Sequence, residues 1–133
     1  MPRAKNGQVE LEYESFGDEA APTILLINGL GSQMTRWPAD FCGKLAARGY
    51  RVIRMDNRDT GLSTWFKPGE SYSLSDMAAD AVAVLDAAGV AKAHVAGVSM
   101  GGMITQALAI NHPDRVLSIT SIMSATGAPG TLD

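Results

Sequence analysis

Ser99 stands in the segment Gly97-Val98-Ser99-Met100-Gly101, and its neighbours decide what it can do. A short apolar run, residues 93–98, leads in, and a small-residue helical stretch, 101–111, leads out. The order is strand, sharp turn, helix, with glycines leaving room for a strained serine at the apex. The hydroxyl then projects above a strand's C-terminal end, beside a helix N-terminus that can stabilise an oxyanion. The chemistry implied is nucleophilic acyl transfer. Such a serine is a weak nucleophile until a base takes its proton, normally a histidine oriented by a carboxylate. The sequence holds two histidines. His94 falls on the strand into Ser99, where side chains point at sheet faces rather than at the apex. His112 falls at the far end of the following helix, roughly 15–20 Å away at about 1.5 Å per residue. Neither is placed to serve as the base, and both fit ordinary roles on a sheet face and at a helix C-terminus.

The elements that must hold Ser99 are legible upstream. Asn6-Gly7 is a two-residue hairpin turn, and residues 8–16 alternate Val9, Leu11 and Tyr13 with Glu10, Glu12 and Glu14. This pattern predicts an antiparallel edge with one wet face. Residues 23–27 are continuously apolar, as in a parallel strand buried on both faces. A Gly-rich loop, 28–37, precedes a helix over 38–48 with Pro38 in its first turn and Gly49 as its stop. Residues 51–55 form another strand, and a long loop, 56–72, follows. Ser73 and Asp76 make a capping box for a helix through Ala88, whose apolar stripe is Met77, Ala81, Val84, Leu85 and Ala88. After the helix that follows Ser99, Pro113 is a stop, residues 115–123 read as a last strand, and 124–133 as a poorly ordered tail. Strands alternating with helices after an antiparallel start predict a doubly wound, mostly parallel α/β sheet of about six strands and three main helices.

Three segments together resemble the N-terminal half of an α/β-hydrolase, over about residues 8–125. Ile27-Asn28-Gly29-Leu30-Gly31 resembles the oxyanion-hole loop after the third strand. Residues 56–63, Asp-Asn-Arg-Asp-Thr-Gly-Leu-Ser, are similar to the family's D-x-R-G-x-G-x-S segment, and 97–102 to its nucleophile elbow. The wording is nearest to cofactor-free bacterial esterases of the methylesterase kind. The resemblance implies hydrolysis of a small-molecule carboxylic ester by Ser99, without a metal or organic cofactor. Its oxyanion donors would be the backbone amides of Met100 and Leu30. Asn28 stands where the family has His, a tolerable change because the donor is a backbone amide. Asp59 stands where the family has Gly, and Asp56 and Arg58 are expected to tie down their loop. The family's acid and histidine follow the serine, yet only 34 residues follow Ser99 here. Asp114 and Asp133 do not match the acid's position. The expectation is therefore a core truncated before its acid, base and cap, with residues 1–125 folded and 126–133 a flexible tail.

Composition agrees with one globular domain of 133 residues, 46% hydrophobic and 19% charged. A net charge of −3 and the lack of a basic cluster argue against nucleic acid and anionic membranes. No apolar run approaches the ~18 residues of a membrane span, no secretory h-region opens the chain, and Cys42 is alone. A cytoplasmic protein is expected.

Two other readings compete. Gly29-Leu30-Gly31 after a buried strand, with Asp56 closing the next, suggests a dinucleotide fingerprint, but its third glycine would fall at Met34. A partner-dependent half-domain is the stronger rival. Its apolar last strand would recruit either another copy or a complementary C-terminal chain. Met34, Trp37, Trp65 and Phe66 either line the entrance or pack beneath loops.

Overall fold

A computed structural model describes residues 2–29, 31–66 and 72–126. The sheet contains six strands in the order β1-β2-β4-β3-β5-β6. They are β1 (Arg3–Asn6), β2 (Val9–Phe16), β3 (Thr23–Ile27), β4 (Arg51–Met55), β5 (Ala93–Val98) and β6 (Val116–Ile122). β1 pairs antiparallel with β2, and β2 with β4; β4, β3, β5 and β6 run parallel. The helices are α1 (Ala39–Ala47), α2 (Leu74–Ala87) and α3 (Met100–Asn111). The doubly wound sheet with an antiparallel N-terminal hairpin is present, and its strands fall within a residue or two of the expected positions.

Alternation along the strands divides the core. Leu25, Ile27, Ile53, Met55, Ala93 and Val95 pack against α2 and α3. Leu26 and Val52 pack on the opposite face with Cys42 of α1, joined by the half-buried Ile24, Trp37 and Ala96. Side chains two residues apart share a face, so the apolar run at 23–27 and the apolar residues Val52, Ile53 and Met55 of β4 serve both. Helix α2 begins as expected: the Ser73 hydroxyl accepts from the Asp76 amide, and the Asp76 carboxylate accepts from the Ser73 amide. Proline stands one residue before α1 as its cap, not inside it.

The expected wet face of β2 is only partly wet: the Glu10 side chain is 41% exposed, but Glu12 is not. β2 lies between β1 and β4, and Glu12 is buried, with its carboxylate 3.2 Å from Arg3 Nε. The loop after β4 runs alongside the strand, where the Glu12 and Glu10 amides donate to the Ser63 and Thr64 hydroxyls. Polar alternation marked a face on which Glu12 is paired with Arg3, a partner that periodicity does not distinguish from water.

The other margin of the sheet is bare. Leu117 and Ile119 of β6 are 52% and 43% exposed, and Met123 just beyond is 81% exposed. Most of the expected tail lies outside the described residues. Ser124, assigned to it, is instead fixed: its hydroxyl donates to the Ser99 carbonyl at 2.7 Å.

Candidate active site

Ser99 occupies the residue between β5 and α3 with φ 57° and ψ −122°. That backbone region is sparsely populated for a residue with a Cβ, and holding it typically costs about 1–3 kcal/mol. Three contacts hold it. The Ser99 amide donates to the Ile122 carbonyl at 2.9 Å, and the Ser99 carbonyl accepts from the Gly102 amide at 2.9 Å and from Ser124 Oγ. The serine side chain is left exposed at the C-terminal edge of the sheet.

The surrounding glycines serve close approach. A Cβ on Gly97 would strike the Gly101 carbonyl and the Thr105 hydroxyl, and one on Gly101 would strike the Ile27 and Asn28 carbonyls. Helix α3 therefore leaves the apex packed directly on β5 and on the end of β3, which a larger residue would prevent. Gly29, in the loop after β3, meets Ser99 itself: a Cβ there would lie 3.2 Å from Ser99 Cβ and 3.7 Å from Oγ. Met100 is the first residue of α3, so its amide is one of those with no carbonyl a turn behind it. Leu30 lies outside the described residues.

The loop beside Ser99 is anchored from below. Asn28 is buried, and its Nδ2 donates to the Ser32 and Met55 carbonyls at 3.0 Å each, while its own carbonyl accepts from Asn57 Nδ2. The amide side chain thus ties both ends of the turn to β4. Asp56 accepts from the Met34 and Leu62 amides, so its carboxylate knits two loops and is not offered to a ribose. That commitment removes the main support for a dinucleotide site.

Arg58 is a buried strut. Its guanidinium makes a two-pronged contact with Asp80 of α2 at 2.6 and 2.8 Å, and it lies about 5 Å from the Phe66 and Tyr72 ring centres. Its pKa is raised chiefly by that hydrogen bonding, so it is fixed as a cation. Asp59 has φ 65°, which explains why a glycine suits that position. Its carboxylate accepts from the Phe66 amide and the Tyr72 hydroxyl, and the latter bond pushes the Tyr72 pKa up. Of the aromatic and apolar entrance candidates, Met34 and Trp37 pack inward, Phe66 stacks on Arg58, and Trp65 is 67% exposed.

Neither histidine joins Ser99. His94 turns to the sheet face, with Nδ1 2.7 Å from Ser118 Oγ and its ring edge-on to Tyr50. His112 closes the opposite end of α3. Asp114 is exposed in the turn that follows, and Asp133 lies outside the described residues. Gly29, read from the sequence as part of the oxyanion-type loop, stands against Ser99. Sequence reasoning missed Ser124 and Asp80, neither of which left a local signal.

The model for the alpha/beta hydrolase fold matches residues 22–132. The chain belongs to the α/β-hydrolase family. It is 43% identical over 117 residues to the rhodomycin D methylesterase DauP of a Streptomyces species, covering 87% of this chain and 39% of that protein. It is 41% identical over 132 residues to the putative carbamate hydrolase RutD of Azorhizobium caulinodans, covering 99% of this chain and 48% of that one. Among solved structures, Est816, described as an N-acyl homoserine lactone degrading enzyme, superposes with a TM-score of 0.84 at 34% identity, covering 95% of this chain and 46% of Est816. The chain thus spans less than half the length of these hydrolases and corresponds to the N-terminal half of the fold. Among the described residues no helix is long and apolar enough to cross a membrane.

Proposed function

We propose that this chain is the acylating half of a serine hydrolase that cleaves small carboxylic esters. The observation that carries the reading is Ser99, held at positive φ with its side chain exposed and Gly29 against it. Ser99 Oγ attacks the ester carbonyl carbon, and the carbonyl oxygen becomes an oxyanion received by the amides of Met100 and Leu30. A base takes the serine proton and passes it to the departing alkoxide. The C–O bond breaks, and water then hydrolyses the acyl-serine. Losing one oxyanion donor typically costs about 3 kcal/mol of transition-state stabilisation. The base and its carboxylate come from outside these elements, since His94 is turned to Ser118 and His112 stands at the far end of α3.

The test is covalent labelling and chemical rescue. A fluorophosphonate adduct on the intact chain, absent from Ser99→Ala, supports the nucleophile. Added imidazole should raise p-nitrophenyl acetate hydrolysis by the wild type above that of Ser99→Ala. Identical rates and no adduct reject the reading.

A second reading, a partner-dependent half-domain, is favoured by the bare β6 margin. Beside β6 lies an apolar groove of about 380 Å³ lined by Leu26, Trp37, Phe41, Tyr50, Thr120 and Ile122. Trp37 Nε1 is buried there without an acceptor among the described residues. An edge strand of this kind recruits another copy or a complementary C-terminal chain. A well-folded monomer in sedimentation at tens of micromolar rejects self-association. A reducing, cytoplasmic setting suits Cys42, whose thiol pKa is pushed up by burial; recovery from another cell fraction overturns that placement.

A further inference from the structure

Behind the corner formed by Ser99 and the loop after β3 lies a cavity of about 150 Å³, walled by Gly31, Asn57, Thr60, Tyr72, Met77 and Met100. Two of these residues tie it to the reaction centre. Met100 follows Ser99 directly, and Gly31 stands two residues beyond the glycine that contacts the serine. We propose that this cavity is the acyl subsite and that it takes a short, unbranched aliphatic chain. The proposal rests on Ser99 being the nucleophile and adds the class of substrate.

The walls argue for an apolar occupant. Their surface is mainly apolar, and each polar side chain in them makes at least one hydrogen bond within the protein. The Arg58 guanidinium is taken by Asp80, and the Asp59 carboxylate by the Phe66 amide and the Tyr72 hydroxyl. Thr60 Oγ1 donates to the Asn57 carbonyl, and Asn57 Nδ2 to the Asn28 carbonyl. A charged substrate group would find no free counter-charge, and burying it unpaired is costly. A departing alkoxide would find no free proton donor, since the Tyr72 hydroxyl is committed to Asp59. An aliphatic chain needs neither, and the acyl and alcohol sides are separated by the isomeric esters compared below. Size sets its length: at about 30 Å³ for a water-sized group, the cavity holds about five such groups. Met77 and Met100, unbranched and adaptable, can close around a chain of that length.

The test reads binding without turnover. In the Ser99→Ala chain labelled at methionine methyls, methyl pentanoate should shift the Met77 and Met100 resonances saturably and leave Met55 and Met123 unmoved. Methyl decanoate should shift them at least five-fold less at equal concentration. Met77→Phe should abolish the Met100 response. Met77→Ala, which enlarges the cavity and guards against a folding failure in the first variant, should move the preference to longer chains. Silence at Met77 and Met100, or a response at Met123 instead, overturns the subsite. So does an equal response to pentyl formate, the isomer carrying its chain on the alcohol side. Loss of Ser99 labelling with these shifts intact removes the nucleophile instead, so the two failures are distinguishable.

Discussion

The two margins of the sheet are built in opposite ways. Around β1, β2 and β4 charged groups are matched: Arg58 with Asp80, both buried, buried Glu12 with half-exposed Arg3, and buried Arg54 with Glu14. This is the finished margin. At β6 the strand's side chains lie open, and among the described residues its outer backbone edge has no partner strand. Ser99 sits at the boundary. What positions the serine comes from both margins: the Asn28–Asn57 contact and Gly29 from the finished one, Gly102 of α3, and the Ile122 carbonyl and Ser124 hydroxyl from the open one. The contrast teaches that one sheet can be closed by paired charges at one margin and, among the described residues, leave apolar side chains exposed at the other.

The largest expected effect breaks the finished margin. Asp80→Ala leaves the Arg58 guanidinium buried and unpaired, and also frees Asn6 Nδ2. Breaking one partner of a buried pair costs about 3–5 kcal/mol, whereas replacing both by apolar groups is often neutral. Urea unfolding of Asp80→Ala should therefore show a loss of that order. Arg58→Met combined with Asp80→Leu should recover most of it. If the single and double variants are equally unstable, the ring packing of Arg58 between Phe66 and Tyr72 matters more than its charge.

A smaller effect is expected at the open margin. Leu117→Lys with Ile119→Lys puts charge on exposed positions, where folding stability changes by about 0.5 kcal/mol or less. Lysine on an edge strand blocks strand addition. Sedimentation should show any wild-type association lost while circular dichroism is unchanged. A double variant that unfolds would mean β6 is buried by contacts within the chain, and the contrast between margins would fall.

Much of this was legible in the sequence where one local rule dominates. The continuous apolar run at 23–27, the Ser73–Asp76 box and the glycines around Ser99 each admit one physical reading. Their places in the fold follow from it. Glu12 was misjudged because alternation reports that a face is polar, not what covers it. Asp80 was invisible because its partner, Arg58, is 22 residues away and meets it only once α2 is docked. Ser124 was lost for a related reason. A serine in a Gly- and Pro-containing stretch looks like tail until β6 ends beside Ser99 and brings its hydroxyl to the Ser99 carbonyl. Local chemistry could be read, and pairings made by tertiary docking could not.

The smallest effect separates surface charge from buried charge within the finished margin. Asp76 caps α2, fully exposed, and its pKa is lowered from its ordinary 3.8, first by its hydrogen bond from the Ser73 amide. A carboxylate whose folded pKa lies below its unfolded one stabilises the fold above the unfolded value. That contribution fades as pH falls through the lower, folded value. Asp76→Asn should accordingly lower the Tm modestly near neutrality, and the two melting curves should converge as pH drops below about 4. Because the group is exposed, salt at about 1 M should shrink the difference by screening, whereas the Asp80→Ala loss, set by desolvation, should persist. Equal salt sensitivity of the two variants would mean that the Arg58–Asp80 pair is wetter than its burial implies, and that the two margins differ less in charge burial than in apolar cover.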